Sequence, residues 1–142
     1  MDVPAGWEAE ISGDGFALQA DGARQPTLLQ AASFPMPADR GSFGSGAVEI
    51  MSRQDVFITL FEYGAEAVGT ALFANQGMPR ELLSGDFDMD ALQHGVPGQS
   101  GLQYFFTENG RAFCLYVVLG SHIDRADLIN DVNAVLSTIQ IT

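Results

Sequence analysis

The sequence predicts an α+β fold, an antiparallel β-sheet with a C-terminal helix packed on one face. Three observations predict it. Asn109-Gly110 separates two runs rich in aromatic and β-branched residues, the mark of a type I′ hairpin. Further on, Leu128, Val132, Val135, Leu136 and Ile139 recur at i, i+4, i+7, i+8 and i+11, one apolar stripe on a helix. Upstream, shorter apolar runs are punctuated by glycine and proline, as the strands of an antiparallel sheet usually are. The 142 residues show no break in composition, so residues 1–142 read as one domain.

In chain order, residues 7–12 and 16–20 read as two short strands. Gly13-Asp14-Gly15 supplies the turn between them, and Asp21-Gly22 signals another. Residues 28–34 are a third strand. Residues 35–46 hold two prolines and several glycines and read as a loop. Residues 47–52 suit a short helix, and residues 56–63 a strand. Between 65 and 90 the pattern is weakest. Ala71-Leu72-Phe73 reads as buried, Met78-Pro79 breaks any helix, and residues 86–93 suit one or two helical turns.

A two-residue loop at Asn109-Gly110 fixes the hairpin register: Glu108 faces Arg111, Phe106 faces Phe113, Phe105 faces Cys114 and Tyr104 faces Leu115. One face then carries Leu102, Tyr104, Phe106, Phe113, Leu115 and Val117, the expected core face. The other carries Gln103, Phe105, Thr107, Cys114 and Tyr116. Gln103, Phe105 and Tyr116 are the candidate binding residues: either another segment covers them or they line a groove. For the helix, Asp124 is the expected N-cap, Asp127 falls at N3, and Ile123 is placed to staple against Leu128. Residues 139–141 either end the helix or add a short last strand.

Charge excludes several functions. Eighteen acids stand against six bases, a formal charge of −12. Such a chain repels phosphate backbones and anionic lipid surfaces, so nucleic acid is not an expected partner. The longest apolar run, residues 112–119, is far too short to span a bilayer, and no membrane insertion is expected. A protein with a basic patch remains a fitting partner, and a homodimer is compatible with the pattern. Residues 1–7 show neither a basic stretch nor an apolar one, so no secretory leader is expected. With Cys114 as the sole cysteine, a reducing compartment fits. The expected location is cytoplasmic, or a soluble domain of a longer anchored protein.

Chemistry-bearing motifs fail at named positions. The run Gly41-Ser42-Phe43-Gly44-Ser45-Gly46 is glycine-rich but makes no phosphate cradle, because a P-loop needs a lysine and all six bases are arginine. Asp86-Phe87-Asp88-Met89-Asp90 begins like a calcium loop, but Ala91 and Pro97 stand where glycine and glutamate are needed, and Phe87 and Met89 look bound for the core. His94 and His122 have no His or Cys at ligand spacing, and no serine lies in a Gly-x-Ser-x-Gly elbow. No metal, cofactor or catalytic residue is therefore expected. Cys114 reads as a buried small hydrophobe.

The residues Arg111-Ala112-Phe113-Cys114-Leu115-Tyr116-Val117-Val118-Leu119-Gly120-Ser121, with Val132-Asn133 and Val135-Leu136 beyond, resemble a family of small uncharacterised actinobacterial proteins. Val48-Glu49, Leu60-Phe61-Glu62-Tyr63-Gly64, Ala71-Leu72-Phe73 and Gly77-Met78-Pro79-Arg80 extend that resemblance from about Gly46 onward. It implies no catalytic residues. In element order, with Pro4, Gly6 and Trp7 opening the sheet, the chain also resembles the PsbP-like fold. That resemblance implies an accessory, partner-binding domain. Two other readings stand beside it: a small hydrolase using a histidine and carboxylates, and a small-molecule carrier using the mixed sheet face.

Overall fold

In a computed structural model, which describes residues 2–12 and 27–141, five strands form one antiparallel sheet with the order β1-β2-β3-β5-β4. They are β1 (Glu8–Ser12), β2 (Leu28–Ala32), β3 (Val56–Glu62), β4 (Ser100–Glu108) and β5 (Arg111–Leu119), followed by a single α-helix, α1 (Arg125–Leu136). The chain is thus α+β. The strand expected at residues 16–20 and the turns at 13–15 and 21–22 lie outside the described residues.

The hairpin forms in the register that the turn dictates. Glu108 pairs with Arg111, Phe106 with Phe113, Phe105 with Cys114 and Tyr104 with Leu115. Asn109 and Gly110 both take positive φ, 52° and 72°, as a type I′ turn demands. A Cβ at Gly110 would meet nothing within 4 Å, so the cost of a side chain there is conformational rather than steric. Gly110→Val is expected to lower stability by about 2 kcal/mol. A urea midpoint unchanged from the parent would refute this.

Both faces of the sheet are buried, which explains why β5 is apolar at every position after Arg111. One face stacks Leu29, Ile58, Leu60, Phe106, Leu115 and Val117 against α1, which buries Leu128, Ile129, Val132, Val135 and Leu136. Ile139 and Ile141 continue this core beyond the helix, without forming a strand. The Asn109 side-chain amide donates to the Ile141 carbonyl and ties the tail to the hairpin.

The start of α1 departs from expectation. Asp124 occupies the N-cap position but its side chain caps nothing. Its backbone (φ −93°, ψ 12°) lies outside the extended region that aims a capping carboxylate at the first-turn amides. The carboxylate pairs instead with Arg53 at 3.1 Å. The same turn throws Ile123 outward, 82% exposed, so it does not staple against Leu128.

The segment between β3 and β4 is built from short 3-10 turns, two of them within residues 84–91. Phe73 and Phe87 reach the core, whereas Leu72 and Met89, expected to be buried, are exposed. This segment covers the outer edge of β4. Asp88 and Gly101 exchange backbone hydrogen bonds at one end. At the other, the Thr107 N–H donates to the Asn75 carbonyl and the Gly77 N–H to the Thr107 carbonyl. Ladder groups that would otherwise face solvent are paired in this way.

Candidate functional site

Gln103, Phe105 and Tyr116 lie on the sheet face opposite α1, and that face is covered. Residues 34–51 fold over it, so that Phe34, Ala47 and Val48 pack with Phe57, Cys114, Tyr116 and Val118, while Tyr63, Leu92 and Val96 close the sides. Tyr116 has no accessible surface. Its ring meets Phe43 edge-on at 5.6 Å, and its hydroxyl accepts the Gln93 N–H at 2.6 Å. Gln103 is half-buried and donates to the Ala91 carbonyl. Phe105, also half-buried, meets Phe73 edge-on. The three side chains hold the covering segments to the sheet.

The glycine-rich run serves that cover. Gly44 adopts φ +88°, and a Cβ there would stand 2.9 Å from both Phe57 and Val48. Only glycine lets the loop approach the sheet so closely. Arg40 locks the loop from below, donating to Gln30 at 2.6 Å and to the Pro37 carbonyl, and pairing with Glu10 at 3.0 Å.

Cys114 sits inside this second core, 1% exposed, and burial pushes its thiol up to about 11. Since the thiolate is the reactive form, native protein is expected to resist a thiol reagent near pH 8 and to label fully once unfolded in denaturant. Rapid labelling of the folded chain would contradict this burial.

His122 makes one contact of interest. Its Nδ1 lies 2.8 Å from the Ser100 hydroxyl. Ser100 is fully buried and Asp124 pairs with Arg53, so in this contact the hydroxyl is not accessible and Asp124 does not orient the ring. His94 stands apart in the loop before β4. Among the described residues, no three His, Cys, Asp or Glu side chains are grouped to hold a metal ion. Asp86 and Asp88 instead accept backbone N–H groups from Leu83 and Asp90.

A different surface offers an opening. Residues 81–84 run beside α1 and leave a shallow groove of about 230 Å³ between Leu82, Leu83 and Ser84 on one side and Ala126, Asn130 and Asn133 on the other. Two clamps hold it open. The Asn133 amide binds the Leu82 backbone as a neighbouring strand would, accepting its N–H at 2.8 Å and donating to its carbonyl at 3.0 Å. Arg125 donates to the Ser84 carbonyl at 3.0 Å. Leu82 is thereby pulled into the core while Leu83 is left 65% exposed on the lip.

No family model, no curated protein and no solved structure matches this chain.

The groove's surroundings are acidic. Glu81 lines it, and Asp86 stands at its Leu83 end. Asp127 and Asp131, one residue beyond Ala126 and Asn130, form the adjacent i, i+4 row on the exposed side of α1. None of these four has an ion-pair partner among the described residues, because the described arginines are engaged elsewhere. Arg40, Arg53, Arg80 and Arg111 pair with Glu10, Asp124, Glu108 and Glu62, and Arg125 donates from Nε and Nη1 to the Ser84 and His122 carbonyls. Sequence reasoning missed this groove. It depends on Asn133 meeting Leu82 across 51 residues of chain, and only the small, polar row Ala126, Asn130, Asn133 hinted at it.

Proposed function

We propose that this chain is a non-catalytic accessory module that binds a protein partner bearing a basic patch. The observation that carries the reading is the imbalance of paired charge. The described arginines make internal contacts, whereas Glu81 and Asp86 beside exposed Leu83, and Asp127 and Asp131 on α1, have no ion-pair partner among the described residues. Charged rims of one sign steer oppositely charged partners and reject like-charged ones. The resemblance to the PsbP-like fold supports the same reading by analogy, as does the likeness to small actinobacterial proteins without assigned catalytic residues. No helix among the described residues is long and apolar enough to cross a membrane, which suits a module working in the cytoplasm or as a domain of a longer anchored protein. A hydrolase reading is less well supported, because Ser100 is buried beneath His122.

The test is capture of a partner by the immobilised full chain from extract of its own source. A stoichiometric basic partner is expected, released as salt rises from about 0.1 to 1 M and the screening length falls from about 10 to 3 Å. Absence of any such partner, together with hydrolysis of a screened ester that disappears in His122→Ala, would overturn the proposal.

A further inference from the structure

We infer that the groove between residues 81–84 and α1 is the docking site for a short basic segment of another protein, one apolar side chain seated between Leu83 and Ala126 and lysines or arginines on either side. The inference rests on the partner-binding reading above and assigns its contact surface. The groove is too small for a drug-sized ligand, whose pockets begin at about 300 Å³, yet about 230 Å³ accommodates a side chain. From Ala126 to Asn133 the helix advances about 10 Å, the span of three extended residues. A central apolar residue with a cation before and after it matches that length.

Charge selects the occupant. Glu81 lines the groove and Asp86 stands at its Leu83 end, facing a single guanidinium, Arg125, whose Nε and Nη1 already donate to carbonyls, while Asp127 and Asp131 add negative charge further round the exposed side of α1. Carboxylates thus outnumber the one guanidinium at the groove, in a chain whose formal charge is −12. A second copy of this chain would bring its own excess acids to the same rim, so self-association through this face is opposed, and nucleic acid is opposed for the same reason. The clamps from Asn133 and Arg125 fix both walls before binding, which lowers the ordering cost that a mobile loop would impose.

The test is an NMR titration of the isotopically labelled full chain at low salt with three synthetic peptides. The first is Lys-Lys-Leu-Lys-Lys between glycines, the second replaces its leucine with serine, and the third replaces its lysines with glutamate. Only the first is expected to shift the amides of Leu83, Ser84, Ala126 and Asn130. Ala126→Arg, a change at an exposed helix position, is expected to weaken that peptide about tenfold or more through like-charge repulsion while leaving the melting temperature unchanged. Should that variant fold poorly, Leu83→Ser at the exposed lip serves instead. Equal binding of the serine peptide, shifts centred on Glu8, Glu49 or Glu66, an unaffected variant, or concentration-dependent dimerisation through this face would each overturn the inference. A native partner retained equally by Ala126→Arg would refute the groove and leave the partner-binding reading intact, whereas absence of any partner would remove both.

Discussion

Arg111→Met is expected to lower stability by about 3 kcal/mol, near the bottom of the range for stripping one partner from a buried ion pair. Arg111 grips Glu62 with two hydrogen bonds of 2.8 Å, Nε to one carboxylate oxygen and Nη2 to the other. The side chains are 15% and 11% exposed, which places the expected cost at the lower end. Removing the guanidinium leaves the Glu62 carboxylate, at the end of the central strand, with the Thr27 N–H as its remaining hydrogen-bond donor among the described residues. For a chain of this length the melting temperature falls by about 9 °C. Adding Glu62→Leu to that variant is expected to recover most of the loss, because an apolar pair of similar volume removes the stranded charge. If Arg111→Met alone melted with the parent, the pair would contribute nothing to stability.

The same pair sets an acid dependence. Burial by itself raises the Glu62 pKa, but the Arg111 hydrogen bond and charge and the Thr27 N–H together hold it below its ordinary value. A carboxyl whose folded pKa is depressed gives stability that is present above its unfolded value, about 4.3, and is lost as pH falls through the folded one. Glu62→Gln is therefore expected to be less stable at pH 7 and to show a shallower decline between about pH 5 and 3. A slope identical to that of the parent would mean that other carboxylates carry the acid dependence.

The contrast between hairpin and groove shows what one sequence exposes. The β4–β5 register followed from two residues, Asn109 and Gly110, because a type I′ turn leaves no freedom in the pairing that follows. The α1 stripe was equally plain, since burial on one side imposes its period directly. The cover of the second sheet face was harder to read. Phe43 and Val48 come from one irregular segment and Leu92 from another, neither with a period of its own; Gly44 and Arg40 seat the first and the Gln93 N–H on Tyr116 ties down the second. Asp124 misled for a local reason. Residue type marks it as a cap, but capping depends on φ and ψ, and those were set by the turn from Ser121, whose hydroxyl accepts the Asp124 N–H. The groove was invisible because its lip, Leu83, and its clamp, Asn133, are distant in sequence.

Tyr116→Ala is expected to cost about 4 kcal/mol, the range for emptying a fully buried aromatic site, and this result discriminates between two uses of the second sheet face. Were Tyr116 a contact residue in an open groove, truncating it would alter binding and leave folding nearly unchanged, because few neighbours would lose packing. The ring instead lies beneath Phe43, beside Cys114 and Val118, with no solvent contact. Tyr116→Phe separates the ring from its hydroxyl. That variant keeps the packing but leaves the Gln93 N–H without its acceptor, a loss of about 1–2 kcal/mol. The two substitutions should therefore rank as alanine well below phenylalanine, and phenylalanine below the parent, in thermal unfolding. Peptide binding at α1 reports on the opposite side of the sheet, so the phenylalanine variant, still folded, should retain it in full. Loss of peptide binding without loss of stability would return Tyr116, with Gln103 and Phe105, to the role of a binding surface.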